Sequence, residues 1–282
     1  MEPTLTTIDT PPVRPPVRAP VGTAVPAQRS FASVRAVVAL MLREMSTRYG
    51  RTPGGYVWAI LEPIGALAVM SVVFSILLHA PPLGNSFVLF YASGYLAYTM
   101  AANVTAQVQG AIGFSKPLLM YPAVSWIDAI FAKLILNSLT HSVVMIVVFF
   151  GVFQFTSATT SLSFGPMVLA TALAAGLGFG IGTLNCVLVG LFPVWGQIWG
   201  IITRPLFLAA GVLFIYENMP AYAQNLMWYT PWIHITGLFR TGVYPSYTAD
   251  YVSIPVILLW SLVPLALGLI LMRRYYQDIL NR

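Results

Sequence analysis

The side chains able to do chemistry are few and scattered. His79, His141 and His234 fall on separate segments without metal-ligand spacing, so no metal site is predicted. Cys186 stands alone in an apolar run; it can close no intrachain disulfide, and it reads as a small packing residue. HExxH, GxSxG and GxxxxGK[ST] patterns are absent from the sequence. The stretch Gly110-Ala-Ile-Gly-Phe-Ser-Lys116 has the flavour of a phosphate loop, but no glycine precedes the lysine and Pro117 follows it. Catalysis and nucleotide binding by this chain are therefore not expected, and any ATP would have to be handled by another subunit.

Polar groups nevertheless recur inside apolar stretches. Tyr91, Tyr95, Thr99, Asn103 and Gln107 repeat every four residues, and so do Lys133, Asn137 and His141. That spacing puts each set on one face of a helix. In lipid such a face turns toward protein or water. It then either bonds a neighbouring helix or forms a conduit wall whose hydroxyl, amide and phenol groups contact sugars. Arg204, directly before Pro205, needs an anionic or carbonyl partner; Glu62, Asp128 and an acidic substrate are the candidates. Asp128 and Lys133 stand near the start of an apolar stretch, where snorkelling to the interface is the expected behaviour. Gly176, Gly178, Gly180 and Gly182 make two overlapping GxxxG pairs, read as close helix packing and not as a dinucleotide fingerprint.

The elements that must hold these groups follow from composition. Of 282 residues, 58% are hydrophobic and only 8% charged, against about 25% charged in soluble domains. Mean hydropathy is +0.79. That excludes a cytosolic enzyme, a nucleic-acid-binding domain and a disordered scaffold. The net charge of +6 is a matter of membrane orientation and not of nucleic acid.

Residues 1–30, punctuated by Pro3, Pro11, Pro12, Pro15, Pro16, Pro20 and Pro26, read as a disordered cytoplasmic tail. Residues 31–52 read as an amphipathic interfacial helix and its stop, with Val34, Val37, Val38, Met41, Leu42 and Met45 on one arc and Arg35, Arg43, Glu44 and Arg48 on the other. Residues 53–282 then form an all-α, six-span membrane domain. The spans are predicted at Val57–His79, Phe87–Gly110, Ile127–Phe153, Phe164–Leu191, Trp195–Tyr216 and Val252–Met272. Basic residues cluster before the first span, at Lys116, and at Arg273, Arg274 and Arg282, which places both termini in the cytoplasm. The aromatic connection 217–251 is expected to dip back into the outer leaflet as short re-entrant helices.

Three motifs carry a resemblance. Leu42-Arg-Glu-Met-Ser-Thr-Arg-Tyr-Gly50 followed by Gly55-Tyr-Val-Trp-Ala-Ile-Leu-Glu-Pro63 resembles the N-terminal motif of ABC type-2 exporter permeases for capsular polysaccharide, a group whose relatives export O-antigen and teichoic acid. Arg204-Pro-Leu-Phe-Leu-Ala-Ala-Gly-Val-Leu-Phe214 and Tyr229-Thr-Pro-Trp-Ile-His-Ile-Thr-Gly-Leu-Phe-Arg240 are similar to the capsule branch. The last motif departs from the pattern at Thr230 and at Gly237, where an acidic residue is common. An acidic partner for Arg240 is thereby put in doubt.

The resemblance implies a homodimer in the bacterial inner membrane. It also implies two separate ATP-binding subunits, which would hold the ATP and Mg, and a lipid-linked polysaccharide as substrate. A periplasmic adaptor and an outer-membrane channel follow by the same resemblance. On this basis residues 31–49 are the gate helix and 112–121 the coupling segment. Arg43, Arg48 and Arg51 are expected to hold the phospholipid head of the substrate. Tyr56, Trp58, Tyr91, Tyr95, Asn103 and Arg204 are expected along the glycan conduit. Lys116, Pro117, Leu118, Met120 and Tyr121 are expected to transmit ATPase closure. Trp228, Trp232, His234 and Arg240 belong to the re-entrant segment. The alternatives are an exporter of O-antigen, teichoic acid or a drug, and, in another class, a membrane-embedded glycosyl- or acyltransferase.

Overall fold

The computed structural model describes residues 32–49, 55, 57–120, 124–155 and 162–281. The proline-rich tail, Arg51, Tyr56 and Tyr121 lie outside the described residues, as does the side chain of Arg48. Among the described residues all regular structure is helical: α1 (Ala32–Tyr49), α2 (Val57–Leu77), α3 (Phe87–Gln109), α4 (Ala111–Leu119), α5 (Trp126–Phe155), α6 (Phe164–Leu191), α7 (Trp195–Ala209), a 3-10 turn (Tyr216–Asn218), α8 (Ala221–Met227), α9 (Pro231–Val243) and α10 (Ile254–Asn281).

Local chemistry sets several boundaries. Ser86 caps α3 by accepting the Leu89 amide at 3.3 Å. Ser125 and Asp128 cap α5 reciprocally, with Ser125 N donating to Asp128 Oδ2 at 3.0 Å and Asp128 N to Ser125 Oγ at 3.2 Å. Asp128 is thus an N-terminal cap, buried and occupied, and neither snorkels nor answers Arg204.

Helices α2, α5, α6 and α10 are long and apolar enough to cross a membrane by length and composition. Helix α3 runs from Phe87 to Gln109, but its polar stripe dilutes its hydropathy. The predicted fifth segment, Trp195–Tyr216, needs correction. Its helix stops at Ala209, a length of about 22 Å. The chain then turns through Gly211, whose φ of 68° lies in the left-handed region. In the other direction, α10 continues past Met272 to Asn281 and carries Arg273 and Arg274 as helical residues.

Helix α6 is the hub, packed on α3, α9 and α10. Within its most apolar stretch 56% of residues are buried, against 17% in α2 and in α10. Gly178 and Gly182 let α3 approach closely: an added Cβ would stand 2.7 Å from the Ala101 carbonyl oxygen and 2.9 Å from that of Thr105, while a Cβ at Gly180 would collide with the Ser261 carbonyl of α10. Gly176 has open space around it, so only one of the two predicted GxxxG pairs grips α3. Helices α5 and α6 diverge, leaving an apolar crevice of about 810 Å³ bordered by Met145, Phe149, Phe150 and Met167.

Candidate functional site

The N-terminal half of the chain builds a charged knot. Glu44 of α1 accepts from Lys133 Nζ of α5 at 2.6 Å, with only 3% and 7% of the two side chains exposed. Phe114 of α4 lies beneath both neighbouring cations, its ring centroid 4.2 Å from Lys133 Nζ and 5.3 Å from the Arg43 guanidinium carbon. Lys133 therefore does not snorkel. At one residue, Glu44, the reading of α1 changes. Its apolar residues Val34, Val38, Leu42 and Met45 are exposed, while Glu44, assigned to the polar side, is buried with Leu40. The reason is that Lys133 supplies a counter-charge inside the bundle, and lipid suits the apolar arc.

Helix α4 covers Ala111–Leu119 and turns at Met120. It buries Ile112, Ser115 and Leu119 and leaves Phe114, Pro117 and Met120 outward. Lys116 and Leu118 are half-buried.

Farther along, the two polar stripes meet. Tyr95, Thr99 and Asn103 of α3 face Asn137, Thr140 and His141 of α5 across a cavity of about 60 Å³, which Glu62 of α2 borders from its third side. A space of that size suits about two waters. Several hydroxyl and amide hydrogens are already engaged on their own helices: Thr99 Oγ1 donates to the Leu96 carbonyl at 3.2 Å, Thr140 Oγ1 to Leu136 at 2.8 Å, and Asn137 Nδ2 to Lys133 at 2.8 Å. Tyr91, one turn before Tyr95, is not part of this wall. It is fully buried, with ring centroids of Phe74 and Phe90 each 5.2 Å away. Trp58 is well exposed on α2. Arg204 is exposed on α7, a helix with no buried residue, and makes no ion pair among the described residues.

The connection between α7 and α10 is a second ordered centre. Arg240 of α9 is fully buried; Nη1 donates to the Phe214 carbonyl at 2.9 Å, Nη2 to Val212 at 3.1 Å, and the guanidinium lies 4.3 Å above the Phe90 ring. Backbone carbonyls thus serve where an acidic residue at position 237 was lacking. A Cβ at Gly237 would collide with the Tyr251 hydroxyl, which excludes a larger residue there. The nearby acid is Glu217, which accepts from the Tyr247 hydroxyl at 3.1 Å on both carboxylate oxygens. Burial raises the Tyr247 phenol and pushes Tyr251 up to about 12, so both stay protonated near neutrality. His234 is buried, held by the Trp228 carbonyl at Nε2 (2.7 Å) and by the Ser253 amide at Nδ1 (3.3 Å). Burial lowers its pKa, which fits a neutral ring that donates from Nε2 and accepts at Nδ1. Trp232 is also buried, whereas Trp228 is half-buried and donates to the Tyr251 carbonyl at 3.2 Å.

The structure therefore brings Tyr95, Asn103 and Glu62 together, separates Tyr91 and Arg204 from them, and adds residues absent from the expected site. Glu44 and Phe114 were missed, although a lone acid on a basic helix was a visible sign that a buried cation awaited it. No group of three or more potential metal ligands occurs among the described residues.

The chain matches the ABC-2 type transporter family over residues 35–244 and belongs to that family. It is 30% identical over 245 residues to the polysialic acid transport protein KpsM of Escherichia coli, covering 87% of this chain and 95% of the relative. The capsule polysaccharide export inner-membrane proteins CtrC of Neisseria meningitidis and BexB of Haemophilus influenzae are each 28% identical. They match over 245 and 246 residues, covering 87% of this chain and 92% of each relative.

Proposed function

We propose that this chain is the membrane subunit of an ATP-driven exporter that carries lipid-linked capsular polysaccharide across the bacterial inner membrane. One observation carries the reading: similarity to three capsule or polysialic acid export proteins runs through nearly their whole length. The chain is a transport subunit, and ATP hydrolysis belongs to a partner. In the proposed topology α2, α3, α5, α6, α7 and α10 are the six crossings, with both termini and α4 on the cytoplasmic face. The basic residues near each end support that orientation. Two copies and two ATPase subunits make the inner-membrane complex, which delivers to a periplasmic adaptor and an outer-membrane channel.

Within this scheme α1 is the interfacial gate helix. Arg43, Arg48 and Arg51 gather the anionic phospholipid head where the chain enters the bilayer. Tyr56, Trp58, Tyr95 and Asn103 offer rings and amides to the passing glycan, Tyr91 braces that wall from behind, and Arg204 stands nearer the subunit seam. The outward residues Pro117 and Met120, with Lys116, Leu118 and Tyr121 around them, dock on the ATPase. The α8–α9 segment, pinned by Arg240, closes the far side.

Deleting the gene should remove surface polysaccharide and leave lipid-linked glycan inside the cell. Complementation by the wild-type chain restores export only when the ATPase subunit copurifies with it. Normal surface glycan in the deletion strain would overturn the assignment. Loss of a different lipid-linked polymer would redirect it to O-antigen or teichoic acid.

A further inference from the structure

We propose that Arg204 of one copy pairs with Glu62 of a second copy, and that this cross-subunit ion pair closes the open side of the polar cavity. The inference rests on the membrane-spanning reading above and deepens it by naming the residues at the subunit seam.

Both residues are exposed on the single chain. Helical spacing sets Glu62 beside exposed Trp58 and Val69 on α2, and Arg204 beside exposed Ile201 and Leu208 on α7, with Gln197 on the same face. A charge turned to hydrocarbon is unfavourable, and lipid tails offer no counter-ion at that depth. Asp128, the other acid considered for Arg204, is engaged at the start of α5. Glu62 remains, and it has no ion pair among the described residues.

Depth agrees. Glu62 borders the cavity beside Tyr95. Three residues on, Tyr98 donates to the carbonyl of Thr203, the residue before Arg204, at 3.3 Å, and its ring meets Phe207 at 5.3 Å. Three residues of α3 amount to about 4.5 Å of rise, within reach of an arginine side chain. Helix α2 packs on α3 and α5, whereas α7 packs on α6 and α9, so one subunit presents an acidic and a basic residue on different helices at one level. A two-fold axis along the membrane normal preserves depth, so such a subunit is complementary to its own copy, and the pair forms twice, once on each side of the axis.

The test uses full-length chains with their ATPase partner in native membranes. Two differently tagged copies are coexpressed, one with Glu62→Cys and one with Arg204→Cys, and oxidised or treated with a short bifunctional thiol reagent. A crosslinked species bearing both tags is expected, as is its loss when either cysteine is omitted. A crosslink that forms only when both cysteines sit in one copy would overturn the proposal. So would a failure of the charge-swapped chain, Glu62→Arg with Arg204→Glu, to recover dimer yield. Each single reversal should lower that yield by about tenfold or more. Dimer yield and crosslinking are read without any substrate. A crosslinked complex in cells whose capsule does not depend on the gene would therefore count against the capsule assignment and leave the pairing standing.

Discussion

Replacing Lys133 with methionine should release α1 from the bundle. The substitution keeps a long apolar stem but leaves the Glu44 carboxylate, 3% exposed, without its ammonium at 2.6 Å. Breaking a buried pair from one side costs about 3–5 kcal/mol, which is roughly a hundred- to several-thousand-fold in the docking equilibrium. Loss of the cation above Phe114 adds to this, by about 0.5–2 kcal/mol. The opposing contacts are few, because Leu40 is the only other buried residue among the described side chains of α1. The assay is maleimide labelling of a Leu40→Cys probe in native membranes, slow in the parent and fast with Lys133→Met. Adding Glu44→Leu to Lys133→Met should slow labelling again, since an apolar pair of similar size replaces the broken ion pair. A labelling rate changed by less than about fivefold would match the 1 kcal/mol or less of a solvated pair. That result would refute the claim that this pair holds α1 in place.

Four further outcomes can be checked with purified protein. Gly178→Ala should destabilise by about 1–3 kcal/mol because its Cβ meets α3, while Gly176→Ala should leave thermal unfolding within about 0.5 kcal/mol of the parent. Arg240→Lys keeps the charge but not the two-pronged grip on Phe214 and Val212, so melting should report a loss of about 1.5–3 kcal/mol. Because burial holds the His234 pKa below its unfolded value near 6.5, the unfolded chain takes up the proton first. Stability should be flat above about pH 7.5, fall as pH drops through about 6.5, and lose that dependence in His234→Gln. Met120→Glu, on the exposed tip after α4, should cut copurification of the ATPase by about tenfold while the membrane dimer persists.

What the sequence revealed depended on range. Helical periods, proline-marked breaks and the apolar runs are local, and four of the six long segments have helices within two residues of the expected bounds, while the sixth starts near its expected bound and runs on to Asn281. The fifth failed because Gly211 ends α7 by backbone geometry, which an apolar run such as Leu206–Phe214 conceals. The two polar stripes were visible by spacing, but their meeting around Glu62 was not, since it depends on which faces α2, α3 and α5 turn to one another. Glu44 was placed on the wet side of α1 because periodicity cannot see a lysine 89 positions away. Gly237 put an acidic partner for Arg240 in doubt; two carbonyls and a ring meet its guanidinium instead, and nothing in residue types announces that a turn will point its carbonyls inward.

The distribution of packing indicates where the subunit can move. Helix α6, more than half buried over its apolar stretch, grips α3 through glycine contacts and α10 and α9 along its other sides. Phe114 sits under cations from both α1 and α5, so α4, α1 and α5 share one joint. Helices α2 and α7 differ: one is mostly exposed and the other buries nothing. Segments with few buried contacts open at the lowest free energy. In the proposed complex, a motor that pushes on α4 would displace α1, α4 and α5 together. The displacement would then be taken up at α2, which touches α5 through the polar cavity, and at α7, which buries no residue within its own subunit. If ATP binding is to open a route for a glycan, it must favour a state in which those two helices have parted from their neighbours. In that state the phenol, amide and carboxylate groups of the cavity become a wetted wall instead of an enclosed pocket.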